Sequence, residues 1–360
     1  MMSGGSEHQF DILASMAERF RWRLAEDDRG QPALFADDVL VDRHVGRGEY
    51  RGLEFLHVNA KRIINEVPDA SRMPFRFTIN AYRGCSHACV YCFARPTHEY
   101  LDLNIGEDFD RKLVVKVNAV ERLRAELRSP KWQGDHIAMG TNTDPYQRAE
   151  GKYHLTQGIV RALGEAANPF SILTKSTLIL RDLDLLLEAN ERADVRANFS
   201  IGTLDEATWK ATEPGTPHPR KRVEAVAKLN AAGIDCGVLV APVLPGMSDG
   251  PGMVEDVVKA CVDAGAVSIS SIYLHLRRGV KEHFMGWLQE ARPDLAATYA
   301  ARYRRSSYLG KSDGAELAAR VRDAVRNAGG PNAPSRGHER GPDTPVHEPM
   351  QPPPEQLSFS

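Results

Sequence analysis

CSHACVYC, residues 85–92, contains three cysteines, Cys85, Cys89 and Cys92, within eight positions. It directly follows FRFTINAY (75–82), a run of aromatic and β-branched residues typical of a strand. The three thiols are therefore predicted to lie in a loop at the carboxyl end of that strand. Thiolates bind iron–sulfur clusters and structural zinc, and a structural zinc site takes four protein ligands. Three clustered cysteines favour a metal centre that leaves one coordination position to another ligand.

Five further apolar runs follow the first strand, and helical patterns separate them. They are HIAMGT (136–141), FSILTKS (170–176), VRANFSIGT (195–203), DCGVLVAPV (235–243) and AVSISSIYLHL (266–276). This alternation predicts βα units and a parallel sheet. We predict an α/β fold in which six strands with right-handed crossovers form a partial (β/α)6 barrel over residues 75–280. Loops after the strands carry the chemistry of such barrels.

The two ends of the chain differ from this pattern. Residues 1–74 are predicted to form an N-terminal extension packed on the barrel, and residues 281–327 a C-terminal helical segment. Residues 328–360 are rich in Pro and Gly, which predicts a disordered tail.

Bulk properties exclude several classes of protein. The net charge of -2 and pI near 6.6 give no global basic field, so any contact with nucleic acid needs a local basic patch. No apolar run approaches the roughly 20 residues of a membrane span, and no signal peptide is evident. Five cysteines, three of them clustered, do not indicate a disulfide framework. We expect a cytoplasmic protein without a membrane partner.

The spacing C-x3-C-x2-C, with Tyr91 before the third cysteine, resembles the radical S-adenosylmethionine (radical SAM) superfamily. The resemblance implies a 4Fe–4S cluster held by Cys85, Cys89 and Cys92, with one open iron that binds S-adenosylmethionine and Tyr91 beside the cofactor. It also implies an enzyme that cleaves S-adenosylmethionine reductively and abstracts a hydrogen atom from its substrate through a 5′-deoxyadenosyl radical. A one-electron reductant of the flavodoxin or ferredoxin type would then be a partner.

Further cofactor contacts are implied by the same resemblance. Superfamily members usually carry a Gly-Gly-Glu stretch after the second strand, where this chain has MGTNTDPYQ, so Thr143 and Asp144 are the expected substitutes. The alternative is a capped turn, since Asp precedes Pro. Lys175 and Ser200 resemble the third-strand lysine and fourth-strand serine of spore photoproduct lyases, which face the cofactor's carboxylate and its ribose or methionyl group. A solvated charge and a satisfied polar strand residue are the alternatives for these two.

The stretches INAYRGCSHACVYCFARPTHEYL, GTNTDPYQ, SILTKSTLILRDLDLL and VLVAPVLPG together resemble a bacterial radical SAM group of the spore photoproduct lyase type, over roughly residues 45–310. These lyases return a hydrogen atom from a cysteine. Cys236 and Tyr273 are the candidates here for a hydrogen donor and a radical relay, although neither Cys236 nor Cys261 matches the lyases' donor position. Core packing is the alternative for both cysteines.

Three hypotheses about function follow. The first is a radical SAM enzyme acting on nucleic acid, for example a damaged base, and the second is one acting on a small molecule or another protein. The third is a nucleic-acid or sliding-clamp-binding module whose cysteines hold a structural metal. For clamp binding, the end of the tail, EQLSFS (355–360), resembles a clamp-docking peptide one residue short, with Gln356, Leu357 and Phe359 as its anchors.

Overall fold

The structure, a computed structural model, describes residues 40–68 and 73–331. The strands of this part are β1 (Leu40–Val45), β2 (Glu54–Val58), β3 (Ile64–Glu66), β4 (Phe77–Ile79), β5 (Tyr82–Arg83), β6 (Lys112–Lys116), β7 (Ile137–Met139), β8 (Phe170–Thr174), β9 (Val195–Ser200), β10 (Asp235–Val243) and β11 (Ile269–Tyr273). The helices are α1 (Glu107–Arg111), α2 (Ala119–Leu127), α3 (Glu150–Tyr153), α4 (Leu155–Glu165), α5 (Leu183–Asn190), α6 (Glu206–Thr212), α7 (Pro219–Ala232), α8 (Met253–Asp263), α9 (Val280–Ala291), α10 (Pro293–Arg302) and α11 (Lys311–Asn327).

The main sheet has the order β11-β10-β9-β8-β7-β4-β3. Its first six members run parallel to one another, and β3 adds to β4 in the antiparallel sense. These six parallel strands fall within the six predicted runs, so the predicted α/β fold with its parallel sheet is confirmed. Because β11 and β4 do not pair within the described part of the chain, the parallel sheet is open.

Apolar residues at helical spacing place the helices against this sheet. On α8, Val254, Val257, Val258 and Cys261 are buried, as their spacing predicts. Gly233 follows α7 with φ of 99°, the left-handed conformation that glycine adopts without strain at a helix end. Because the six strands are parallel, their carboxyl ends meet at one edge of the sheet, and that edge is the mouth of the partial barrel.

A second sheet, with the order β1-β2-β6-β5, was not predicted from the sequence. Its strands β1 and β2 come from the N-terminal extension, and β2 pairs in parallel with β6. The three-cysteine loop lies between β5 and β6, which are themselves paired. The extension is thus joined by hydrogen bonds to the strand that follows the cysteine loop.

Three helices, α9 to α11, follow the main sheet. A separate apolar cluster packs Cys89 and Tyr91 against Phe284 of α9 and Tyr299 of α10. Within the described ranges, none of the helices combines the length and apolar character needed to span a bilayer. Gln356, Leu357 and Phe359, the predicted clamp-docking residues, lie outside the described residues.

Candidate active site

The cysteine loop is held by backbone hydrogen bonds from three sides. The amide of Cys85 donates to the carbonyl of Phe109 at 3.0 Å, and the amide of Val90 donates to the carbonyl of Thr212 at 3.0 Å. The amide of Gly215 donates to the carbonyl of His87 at 3.0 Å. The segment after α6 therefore forms one wall of the loop.

A buried arginine fixes the centre of the loop. Arg95 is 1% exposed, and its Nε and Nη2 donate to the carbonyl of Cys89 at 3.0 and 2.9 Å. Its Nη1 donates to the carbonyl of Ile105 at 2.8 Å, and Asp110 neutralises its charge at 2.8 Å. These contacts hold the middle cysteine in one place before any ligand binds.

The thiols lie in a water-poor environment that disfavours free thiolates. Cys85 and Cys89 are buried and Cys92 is half-buried. Burial raises the pKa of Cys85 well above its ordinary value, and Asp144 raises it further. Burial raises the pKa of Cys89 and Cys92 as well. Three thiolates in this loop therefore need the positive charge of a metal centre.

The three cysteine sulfurs lie farther apart than the ligands of a single zinc ion. Among the described residues, one group of three or more candidate ligands has all its ligand atoms within 4.8 Å of one another, and it does not include the cysteines. A tetrahedral zinc ion with bonds of about 2.3 Å would bring sulfurs to about 3.8 Å apart. The three thiols as placed are therefore not gathered around one zinc ion, and iron–sulfur clusters are the other centres that thiolates hold.

Lys175 lies beside the cysteine loop, at the carboxyl end of β8. Its Nζ lies 2.5 Å from Ser200 Oγ and 3.2 Å from Glu213 Oε1, and 5.8 Å from the centre of the Tyr91 ring. Tyr91 donates its hydroxyl hydrogen bond to the same oxygen of Glu213. The structure thus brings Tyr91, Lys175 and Ser200 together around a carboxylate that the sequence analysis did not identify.

Glu213 is paired on its other side with Arg222, at 2.5 Å between Oε2 and Nη2. Burial by itself would raise the pKa of Glu213, but Arg222 and Lys175 outweigh it and lower the pKa to about 2. The group therefore contains two cations and one carboxylate, all nearly enclosed. One net positive charge remains on the group. Lys175 Nζ also lies 3.5 Å from the carbonyl oxygen of Ala241, a longer contact than those with Ser200 and Glu213. A ligand carboxylate suits this site electrostatically.

Thr143 and Asp144 are engaged with the protein itself. Thr143 donates to the carbonyl of Gly84 at 2.7 Å. Asp144 accepts from the Thr174 hydroxyl and the Lys175 amide, each at 2.7 Å, and lies 3.4 Å from Nδ1 of buried His87. These contacts tie the loop after β7 to β8 and to the cysteine loop. That arrangement matches the capped-turn alternative, and a direct contact of either residue with the cofactor stays a prediction.

The two predicted catalytic residues lie apart from this group. Cys236 is fully buried at the amino end of β10, where burial and the neighbouring thiol of Cys261 raise its pKa. That is the end of the strand opposite the barrel mouth, so the placement favours core packing. Tyr273 is half-buried at the end of β11, and its hydroxyl lies 3.4 Å from Asp249 Oδ2. A radical relay through Tyr273 stays a prediction.

Sequence reasoning missed Arg95, Glu213 and Arg222. Each is a charged residue with less than 5% exposure, and burying a charged side chain is costly unless it is paired. The sequence signal for Glu213 was the turn-forming stretch TEPGTP (212–217), which was not recognised as a loop facing the cysteines. Arg222 resembled an ordinary surface position of a helix.

Replacing Gly215 by alanine is expected to loosen the cysteine loop without touching a ligand. A Cβ at this position would lie 2.1 Å from the carbonyl oxygen of Ser86 and 2.9 Å from backbone atoms of His87. Because backbone must then move, we expect a loss of about 1–3 kcal/mol in stability and a lower iron content after anaerobic reconstitution. Gly286→Ala is the matched control, since a Cβ there meets nothing within 4 Å. Full iron retention in Gly215→Ala would contradict this account of the loop.

The fold and site define an iron–sulfur protein of the partial-barrel class, and comparison with known proteins gives the family. The model of the radical SAM superfamily matches residues 79–261. An uncharacterised protein of Mycobacterium tuberculosis is 46% identical over 283 residues, which cover 79% of this chain and 83% of that protein. The chain therefore belongs to the radical SAM superfamily, whose members use a 4Fe–4S cluster and S-adenosylmethionine.

Spore photoproduct lyase is similar in both sequence and structure. The Bacillus subtilis enzyme is 28% identical over 183 residues, 49% of this chain and 48% of its own. A solved structure of a mutant spore photoproduct lyase, with bound AdoMet and dinucleoside spore photoproduct, has a TM-score of 0.55 and 19% identity. That match covers 75% of this chain and 78% of the other. At this identity the structural likeness shows a shared fold.

Proposed function

We propose that this chain is a radical SAM enzyme that abstracts a hydrogen atom from a nucleic-acid base, with the base presented in a single strand at the barrel mouth. In this proposal Cys85, Cys89 and Cys92 hold the cluster, while Lys175 binds the cofactor's carboxylate. When bound, the cluster supplies the electron that cleaves S-adenosylmethionine and so starts hydrogen abstraction. A one-electron reductant of the flavodoxin or ferredoxin type is the proposed partner.

The chain's own residues prepare the site for this chemistry. Glu213 holds both Lys175 Nζ and the Tyr91 hydroxyl, so the cation stays beside the cysteine loop before the cofactor arrives. Arg222 keeps Glu213 charged and donates to the carbonyl of Ser200 at 3.1 Å, which fixes the end of β9. The enclosed position of these groups limits water next to the reacting atoms.

The observation that carries the nucleic-acid proposal is a surface of aromatic residues around Arg277, beside the third cysteine. Phe93, Tyr100 and Tyr308 are 46%, 63% and 59% exposed, and they are the exposed Phe, Tyr or Trp side chains of the described ranges. Arg277 lies 6.0 Å from the centre of the Phe93 ring. Burial lowers the pKa of Arg277, and Tyr100, Cys92, the carboxylate of Glu99 and Tyr308 are near enough to oppose that shift. We call this surface the aromatic rim.

Positive charge accompanies the aromatic rim. The loop that ends in Tyr308 is joined to the end of the sheet by a hydrogen bond from the Leu276 amide to the Ser307 carbonyl, and Tyr308 stacks on His275 at 3.9 Å. The same loop carries Arg304 and Arg305, both exposed. In the part of the chain that the structure describes, neither forms an ion pair with a carboxylate.

Exposed rings beside the cysteine loop, with two exposed arginines in the loop that carries Tyr308, suit single-stranded nucleic acid. Bases stack on aromatic side chains, while arginines bind the phosphates. Because the net charge of the whole chain is -2, contact with nucleic acid needs a local basic patch, and Arg304 and Arg305 supply one. The dinucleoside bound in the solved spore photoproduct lyase structure supports the same class of substrate.

Removing Arg304 and Arg305, which lie in the loop that carries Tyr308 of the aromatic rim, is expected to weaken binding of single-stranded DNA in a salt-dependent way. Each phosphate contact to a single strand contributes about 0.7 to the slope of log K against log salt concentration, so the variant Arg304→Gln/Arg305→Gln should lower the slope by about 1.4. Fluorescence anisotropy of a labelled oligothymidylate with the reconstituted holoenzyme measures this. The control, Arg128→Gln/Arg192→Gln, removes two exposed arginines that follow α2 and α5, at the opposite edge of the sheet.

Two results would overturn the nucleic-acid proposal. One is the absence of oligonucleotide binding at low salt, and the other is an equal slope in the rim variant and the wild type. Formation of 5′-deoxyadenosine by the same reduced preparations is measured in parallel. If it persists without DNA binding, the radical SAM chemistry stands and the substrate belongs to another class.

A further inference from the structure

We propose a second metal site in the N-terminal sheet, where Asp42, His44 and His57 bind a zinc-class divalent ion. These side chains form the group whose ligand atoms all lie within 4.8 Å of one another in the described residues. Asp42 and His44 are two residues apart on β1 and so share a face, and His57 of β2 is paired directly opposite Asp42. The pleated pair thus presents three ligands on one surface.

The side chains already lie close to one another. His44 Nε2 is 2.9 Å from Asp42 Oδ2, and the rings of His44 and His57 have centroids 4.5 Å apart. Two imidazoles and one carboxylate are ligands that zinc and related ions take at bonds of about 2.0–2.2 Å, with a water in the fourth position. Small rotations of the exposed side chains of Asp42 and His44 toward the half-buried His57 would bring the three ligand atoms to that distance from one ion.

A hydrogen bond to His57 adds independent support. Its Nε2 is 2.7 Å from the hydroxyl of Tyr153 on α3. Ligating histidines commonly use their second ring nitrogen in this way, which fixes the ring and its tautomer. Nδ1 is then the nitrogen left for the ion.

The surroundings permit an ion to enter and give it a structural effect. Asp42 and His44 are 57% and 45% exposed, so the site opens to solvent. Lys152 lies over the rings of Phe55 and Tyr153 and opposes a cation, while the carboxylate of Asp42 offsets that charge. Because β1 is the edge strand of its sheet, a bound ion would fasten it to β2.

Equilibrium dialysis of the reconstituted holoenzyme against Zn²⁺ tests this site, with iron measured in the same samples to show that the cluster is intact. We expect one zinc ion per chain and a rise in Tm on adding zinc. Both should be lost in His44→Gln and in Asp42→Asn, exposed positions whose replacement does not disturb the core. His154→Asn, an exposed histidine in a left-handed backbone conformation that Asn tolerates, is the control and should keep both. Absence of bound zinc in the wild type, or equal zinc and equal Tm shift in His44→Gln, would overturn the proposal.

Discussion

Cys85→Ala, Cys89→Ala and Cys92→Ala are each expected to lose the iron–sulfur cluster and all formation of 5′-deoxyadenosine together. Each thiolate holds one corner of the proposed cluster, and the loop offers no replacement, since the nearby His87 is committed to Asp144. Iron and sulfide per chain, the visible absorption of the anaerobically reconstituted protein and 5′-deoxyadenosine after reduction measure the effect. We expect background values in all three variants.

Cys261→Ala is the matched control for this experiment. Cys261 lies on α8, and its thiol is fully buried in the main core. The substitution should therefore reduce stability, while the iron content and the formation of 5′-deoxyadenosine remain unchanged. A full complement of iron in any of the three loop variants would show that the ligand assignment is wrong.

Lys175→Ala is expected to weaken S-adenosylmethionine binding about ten- to a hundredfold while the cluster stays in place, since a hydrogen bond to a charged group contributes about 1.5–3 kcal/mol. The fold should survive, because Glu213 keeps its pairing with Arg222 when the lysine is removed. Equilibrium binding of labelled S-adenosylmethionine to the reconstituted protein measures the affinity, and iron analysis confirms the cluster.

Lys259→Ala serves as the control for Lys175. It removes an exposed lysine on α8 that pairs with Asp263, and it should leave the affinity for the cofactor unchanged. An unaltered affinity in Lys175→Ala would mean that the lysine is a structural partner of Glu213 and does not contact the cofactor.

The parallel sheet could be predicted because each of its strands carries a local signal. Runs such as DCGVLVAPV are continuously apolar after their first residue, and glycines such as Gly233 mark the helix ends. The second sheet gave no such signal. Its strand β5 has only two residues, and β6 is paired in parallel with β2 from more than 50 residues earlier in the chain. Pairing at that distance leaves no pattern in either segment alone.

In the candidate site, too, some residues could be predicted from the sequence and others could not. Lys175 could be selected because it lies at the carboxyl end of a predicted strand, and such ends meet at the barrel mouth. Ser200, like Lys175, was selected because it resembles a strand residue of the spore photoproduct lyases. Glu213 could not, because it lies in a loop after a helix and becomes part of the site only when that loop folds back onto the cysteines. Thr143 and Asp144 were selected as cofactor contacts, and in the structure both hold their loop through hydrogen bonds to the protein itself.

The sequence by itself determined the parallel α/β fold and a three-cysteine loop suited to a metal centre with an open position, because both are local patterns. The iron–sulfur cluster followed from the resemblance of that loop to the radical SAM superfamily. Tertiary structure alone decided what surrounds that loop. The enclosed group of Lys175, Glu213 and Arg222 and the aromatic rim beside Cys92 join residues far apart in the chain, and the proposed ligands Asp42, His44 and His57 meet through the pairing of β1 with β2. Their roles come from burial and from distances of a few ångströms, which only the folded chain sets.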